Sequence, residues 1–123
     1  MTLVPGGMRE LHWHPNADEW NYWIKGRAEV GVFAAGPMAQ TTNFHPGDIG
    51  YIKRNNVHWI KNIGNTELQY ITVFKSPLFE EVSLSDWLTH TPSAMVAATL
   101  NVDPAIIAQW PNNIPGVVPP YRS

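Results

Sequence analysis

The sequence predicts an all-β barrel or sandwich followed by short C-terminal helices, and three observations carry this. Apolar and polar residues alternate with period 2 through the first two-thirds of the chain, in runs rich in β-branched and aromatic side chains. Turn signals punctuate those runs evenly, at Pro15-Asn16, Lys25-Gly26, Gly36-Pro37, Pro46-Gly47, Asn55-Asn56 and Gly64-Asn65. No helical crossover of the kind a parallel sheet requires lies between them.

Strands are expected near residues 8–14, 20–24, 28–34, 39–44, 48–52, 58–62 and 67–74. The last third changes character. Ser83-Leu84-Ser85-Asp86-Trp87-Leu88 can start a short helix. Thr91 before Pro92 reads as an N-cap with proline at the first helical position, leading into 94–100, and Asp103-Pro104 repeats that signal before 105–110. Pro115, Pro119 and Pro120 make the tail extended, lying on the surface or on a neighbour. At 123 residues the chain has the length of one domain. It divides into a barrel over about 1–76, a helical appendage over about 83–110 and a Pro-rich tail over 111–123. A first strand so near the terminus leaves a sheet edge to be covered, so a homo-oligomer, a dimer, is expected.

Composition excludes several classes. Net charge is −2 and no basic cluster interleaves with aromatics, which argues against nucleic acid and anionic membrane surfaces as partners. No run approaches the roughly 18 apolar residues of a membrane span, and no charged region precedes an apolar one at the N-terminus. The expected location of the chain as written is cytoplasmic. There are no cysteines, which removes disulfides, thiolate ligands and cysteine nucleophiles together. A metal site must therefore use His, Asp or Glu, which suits Mn, Fe, Co, Ni, Cu or Zn.

One constellation fits that requirement. His12 and His14 are two apart, so on a strand both imidazoles point to the same side. Glu19 follows a turn containing Pro15, within reach of them, and His58 sits just after a later turn on what would be a neighbouring strand. Three imidazoles and one carboxylate leave two positions of an octahedral ion for water, substrate or dioxygen. His45, beside Pro46-Gly47, and His90, at a helix end, read as ordinary surface residues.

The spacing of this set resembles the cupin motifs. From Gly6 to Gly26 the chain reads G-x5-H-x-H-x4-E-x6-G, the first cupin motif in full. The second is partly kept: Gly47, His58 and Asn62 fall on its positions, while Lys53 and Asn55 stand where the family usually has Pro and Gly. The resemblance implies a double-stranded β-helix, the jelly-roll barrel of cupins, with His12, His14, Glu19 and His58 as metal ligands. Arg9-Glu10-Leu11-His12-Trp13-His14-Pro15-Asn16, Asp18-Glu19-Trp20, Leu84-Ser85-Asp86-Trp87-Leu88 and Thr91-Pro92 resemble the oxalate decarboxylase family, and its C-terminal cupin above all. That likeness implies Mn(II) on the four ligands, with Fe, Co, Ni, Cu or Zn as alternatives. It also implies oxalate as substrate, decarboxylated to formate and CO2, and Arg9 pairing with a substrate carboxylate. Strict alternation puts Arg9 on the face opposite His12 and His14, so only a twist or bulge aims it inward. Members of that family carry further strands ahead of the segment that opens this chain.

The general acid is the weak point. The catalytic domain of the family carries a Ser-Glu-Asn-Ser-Thr lid where this chain has Pro77-Leu78-Phe79-Glu80-Glu81, and the other cupin has a glutamate where this chain has Thr72. Glu80 and Glu81 are the candidate acids, although adjacent glutamates in a polar loop are commonly just solvated. Two alternatives follow: an oxalate oxidase-type activity giving CO2 and hydrogen peroxide, or a non-catalytic metal-binding cupin. Trp13 and Trp59 each adjoin a ligand histidine and so face outward, onto a helix, a second layer or another subunit.

Overall fold

Strand alternation of this kind produces two antiparallel sheets face to face. The computed structural model describes residues 1–120; the last three residues of the expected tail lie outside them. The strands are β1 (Thr2–Leu3), β2 (Met8–Trp13), β3 (Glu19–Lys25), β4 (Ala28–Phe33), β5 (Ala39–Phe44), β6 (Ile49–Ile52), β7 (Val57–Asn62), β8 (Leu68–Phe74), β9 (Val82–Ser83) and β10 (Val117–Val118). Three helices, α1 (Leu84–Thr89), α2 (Ser93–Leu100) and α3 (Pro104–Ile107), lie between β9 and β10. One sheet runs β1-β8-β3-β6 and the other β10-β2-β7-β4-β5, with β9 also on β2. The chain passes between the sheets at β1–β2, β2–β3, β3–β4, β5–β6, β6–β7, β7–β8 and β8–β9, which winds them into a jelly roll.

The inner faces make the core. Leu3, Trp23, Ala28, Val30, Ile52, Ile60, Leu68 and Tyr70 are buried together, with Val32 and Phe44 packed against them. Each fully buried aliphatic or aromatic side chain there contributes about 1.5–3 kcal/mol. β3 shows how the sequence chooses its faces: Glu19, Asn21 and Trp23 are buried while Trp20, Tyr22 and Ile24 are exposed. Asn62, 1% exposed, ties β1 down, donating from Nδ2 to the carbonyls of Leu3 (3.0 Å) and Thr66 (2.8 Å).

The seven expected strands are present, with ends moved by a residue or so. β1, β9 and β10 were not foreseen, since two residues display no period. β10 also gives the tail a definite place: Val117 and Val118 pair with Arg9 and Met8, so the chain covers that edge of β2 with its own C-terminal segment. The helix starts are partly as expected. Ser83 caps α1 through Oγ on Asp86 N (3.1 Å), and Asp103 caps α3 through Ala105 N (2.8 Å). Thr91 does not cap α2. Its hydroxyl is taken by the carbonyl of Trp87 (2.7 Å) at the end of α1, and Pro92 holds the cap position without a side-chain bond.

Trp13 meets Trp87 of α1 edge-on, with ring centroids 6.1 Å apart. Trp59 lies across Gly31 of β4, where any Cβ would overlap the indole ring. A second small core of Val96, Ala97 and Ile107, with Leu88 and Trp110, holds the helices together. No helix among the described residues is long and apolar enough to cross a membrane.

Candidate metal centre

His12 on β2 and His58 on β7 are cross-strand partners, and Glu19 opens β3 in the facing sheet. With His14, just past the end of β2, they form a cluster in which one donor atom from each lies within 4.8 Å of all the others. Donors bonded at about 2.1 Å to one ion stand about 3.0 Å apart when cis and about 4.2 Å apart when trans, so the spacing suits a single first-row cation. All four side chains are 1–3% exposed.

Backbone carbonyls aim the three rings. Nδ1 of His12 donates to Glu10 O (2.6 Å), Nδ1 of His14 to Glu80 O (2.8 Å) and Nδ1 of His58 to Asn56 O (3.0 Å). With Nδ1 carrying the proton, each Nε2 presents its lone pair to the centre of the cluster, as a metal requires. Nε2 of His14 and of His58 reach Glu19 Oε2 at 2.9 and 3.0 Å. The first contact lacks hydrogen-bond geometry, which leaves His14 Nε2 buried without a partner. A buried ring nitrogen aimed at a carboxylate edge, with no proton to share well, fits a shared cation.

The electrostatics agree. Burial, and then the neighbouring His58, lowers His12 to about 3, so its ring is neutral. Burial alone would raise Glu19, but the contacts with His14 and His58 outweigh it and hold the carboxylate well below its usual range. Burial would lower His14; Glu19 and the Glu80 carbonyl reverse this and raise it. A buried carboxylate is costly unless a cation pairs with it. In the metal-free protein the raised His14 meets part of that demand by holding a proton more readily, a proton that a bound ion would replace.

The bulge that Arg9 requires is present. Arg9 pairs with Ile60 and His12 with His58, three residues on β2 against two on β7. The extra residue turns Arg9 onto the same inner face as His12, 9% exposed. Its Nη1 donates to Gly116 O (2.7 Å), beside β10, and its Nη2 to Glu81 Oε2. Glu81 also lies 3.9 Å from His12 Nε2.

The two candidate acids separate here. The side chain of Glu80 is exposed, and it is its carbonyl that reaches the site, on His14. Glu81 faces in, onto Arg9 and beside His12. The loop holding them is pinned by Asn16, whose Nδ2 donates to Leu78 O (2.9 Å) and Ser76 Oγ (3.1 Å). Phe79 from this loop and Phe74 of β8 lean on the His14 ring at centroid distances of 5.5 and 4.5 Å. His45 and His90 lie outside the cluster, exposed, beside Asp48 and on the carbonyl of Asp86. What residue types alone did not reveal is the set of carbonyls that orient the rings; the two-residue offset from His12 to Glu10 and from His58 to Asn56 is the signal available.

The family model for cupins matches residues 1–108. The chain belongs to the cupin family. It is 43% identical over 102 residues to the oxalate decarboxylase OxdC of Bacillus subtilis (strain 168), covering 83% of this chain and 26% of that protein. It is 46% identical over 110 residues to a probable oxalate decarboxylase of Arthroderma benhamiae, covering 89% of this chain and 27% of that one. A solved structure of the Bacillus subtilis oxalate decarboxylase, in work on its Mn(II) centres, superposes with a TM-score of 0.92 over 98% of this chain and 32% of that one, at 38% identity. This cupin thus spans about a quarter of the length of the curated oxalate decarboxylases it matches.

Proposed function

We propose that this chain is a metal-dependent cupin enzyme acting on oxalate or a similar small carboxylate, converting oxalate to formate and CO2. The observation that carries the reading is the position of Arg9. A guanidinium already paired with a carboxylate, that of Glu81, stands beside the three-histidine, one-glutamate cluster in a cavity of about 70 Å³. That volume is roughly the liquid share of two waters, so it selects a very small ligand.

His12, His14, Glu19 and His58 would hold the ion, with Mn(II) favoured by likeness to the Bacillus subtilis oxalate decarboxylase, whose Mn(II) centres have been studied. Bound there, the ion supplies Lewis-acid and redox chemistry to an attached carboxylate. Arg9, fixed by Gly116 O, takes one carboxylate of the substrate in place of Glu81. Guanidinium and carboxylate match in two parallel hydrogen bonds, which sets the orientation of the substrate as well as its affinity. Glu81, released from Arg9, takes up a proton from solvent and is then the acid. The carbon–carbon bond of oxalate breaks, one half leaves as CO2, and the other accepts a proton at carbon and leaves as formate.

The test is aerobic turnover of oxalate by the Mn(II)-loaded protein at mildly acidic pH, with formate and hydrogen peroxide measured together. Formate above a His14→Ala control is the expected result. Peroxide without formate would indicate oxidation, and no product with one ion bound per chain would favour the non-catalytic alternative. In the same assay Arg9→Ala should raise the half-saturating oxalate concentration by roughly tenfold or more, the worth of a charge-assisted bond, without changing metal content. An unchanged titration would remove Arg9 from the site.

We further read the protein as a dimer. Trp20, Tyr22, Ile24, Tyr51, Ile71 and Val73 lie between 45% and 57% exposed on the outer face of the β1-β8-β3-β6 sheet. An apolar face of that kind suits a two-fold contact with a second copy. Sedimentation as a monomer at micromolar concentration would count against it.

A further inference from the structure

On the side of the barrel away from Arg9, no ladder among the described residues joins β5 to β6, and a cavity of about 350 Å³ opens between them. It approaches the metal cluster from behind, through Ile52, the cross-strand partner of Glu19, and Val32, the partner of His58. Trp23, Val30 and Phe44 complete its apolar wall.

Two features mark it as built for an occupant. Trp23 is 1% exposed, and its Nε1–H has no hydrogen-bond partner among the described residues. Buried donors are nearly always paired, so this one calls for an acceptor from outside the chain. The second feature is Gly50. Its backbone φ lies outside the left-handed region, so the conformation does not demand glycine. A Cβ there would stand 3.6 Å from Trp23 Nε1 and 3.5 Å from Phe44 Cζ, in the space directly before the donor. The missing side chain keeps that space open.

The lining also sets the chemistry. No Lys, Arg or His borders the cavity, so a buried carboxylate would have no counter-charge. A neutral molecule avoids that cost. The indole and phenyl rings of Trp23 and Phe44, stacked with centroids 5.2 Å apart, offer a flat apolar surface beside the unpartnered Trp23 donor. The buried Asn21 and the side chains of Gln40 and Thr42 add polar groups elsewhere on the lining. The volume falls within the range of about 300–1,000 Å³ usual for small-molecule sites. We infer that this cavity is a second binding site, separate from the metal pocket, for a neutral single-ring aromatic molecule bearing one acceptor oxygen. The oxygen takes the Trp23 Nε1–H, and the ring lies against the apolar wall near Gly50.

Acetophenone is a suitable probe, titrated into ¹⁵N-labelled protein with diamagnetic Zn(II) added. The chain has six tryptophans, so the indole region is simple, and Trp23→Phe assigns the resonance. The expected result is a saturable shift of the Trp23 indole signal with a dissociation constant on the order of a millimolar, fitting a ligand of few atoms. Gly50→Val should weaken binding roughly tenfold or more by filling the space. Gly50→Ala, whose contacts are ordinary ones, should give a smaller loss and serves if the valine variant does not fold. The inference is overturned if the Trp23 signal fails to shift, water then being its only acceptor. It is equally overturned if folded Gly50→Val and Gly50→Ala bind as the parent does.

Discussion

His14→Ala and Glu19→Ala each abolish tight metal binding, by roughly a hundredfold or more, since even changes to groups that only orient a ligand cost 10–100-fold. Both residues meet at Glu19 Oε2, where the unpartnered Nε2 of His14 points. Removing His14 leaves three donors; removing Glu19 leaves three neutral rings with no charge to offset a divalent ion. Glu19→Gln separates the charge from the shape and should fail nearly as badly. His45→Ala, far from the cluster and exposed, should retain one ion per chain. Metal content after dialysis, with circular dichroism to verify folding, reads the result; one-to-one metal in both alanine variants would end the assignment. The same geometry fixes the sign of the pH dependence. In the metal-free protein Glu19 raises His14 above its ordinary value, so a proton competes with the ion for Nε2. Affinity should therefore fall as pH drops through that raised value and level off above it. Titration calorimetry with Zn(II) across neutral pH would reveal a flat profile if His14 were not a ligand.

Much of this centre was legible because ligand geometry on strands is a matter of parity. His12 and His14 share a face by their spacing, and the motif glycines Gly6, Gly26 and Gly47 all adopt the positive φ that glycine permits. Asn55 explains why a departure from the second motif does no harm: it takes φ +67 where the family has glycine, a conformation asparagine tolerates better than most residues. The turn keeps its shape, and Asn56 O still receives the His58 ring. What parity could not supply is its own exception. The extra residue between Arg9 and His12 leaves no mark in composition, and its effect depends on β7 and β10 on either side of β2. The tail was likewise unreadable beyond its prolines, since the pairing of Val117 with Arg9 joins residues from opposite ends of the chain. Glu80 and Glu81 were indistinguishable in sequence because only the fold of their loop decides which faces Arg9 and the histidine rings.

That loop sets up the other large effect. Glu81→Gln should lower formate production by roughly a hundredfold or more, the usual contribution of a positioned general acid. Glutamine preserves the length of the side chain and can still accept from Arg9, so folding and metal content should hold. It cannot donate a carboxylic proton. Oxalate consumption need not fall in proportion, because breaking the carbon–carbon bond precedes the protonation of carbon. With no acid beside it, the one-carbon fragment is left to oxidation to CO2 by dioxygen, which is reduced to hydrogen peroxide, and the formate-to-peroxide ratio should fall along with the formate rate. Glu80→Gln is the internal control. Its carboxylate is exposed and its carbonyl, which orients His14, is untouched by the substitution, so both quantities should stay near the parent values. If Glu81→Gln and Glu80→Gln behave alike, Glu81 is a latch that holds Arg9 until substrate arrives, and the proton must come from water. A fall confined to Glu81→Gln, with the ratio shifted toward peroxide, would mean that a single carboxylate both guards Arg9 in the resting protein and finishes the reaction once oxalate has displaced it.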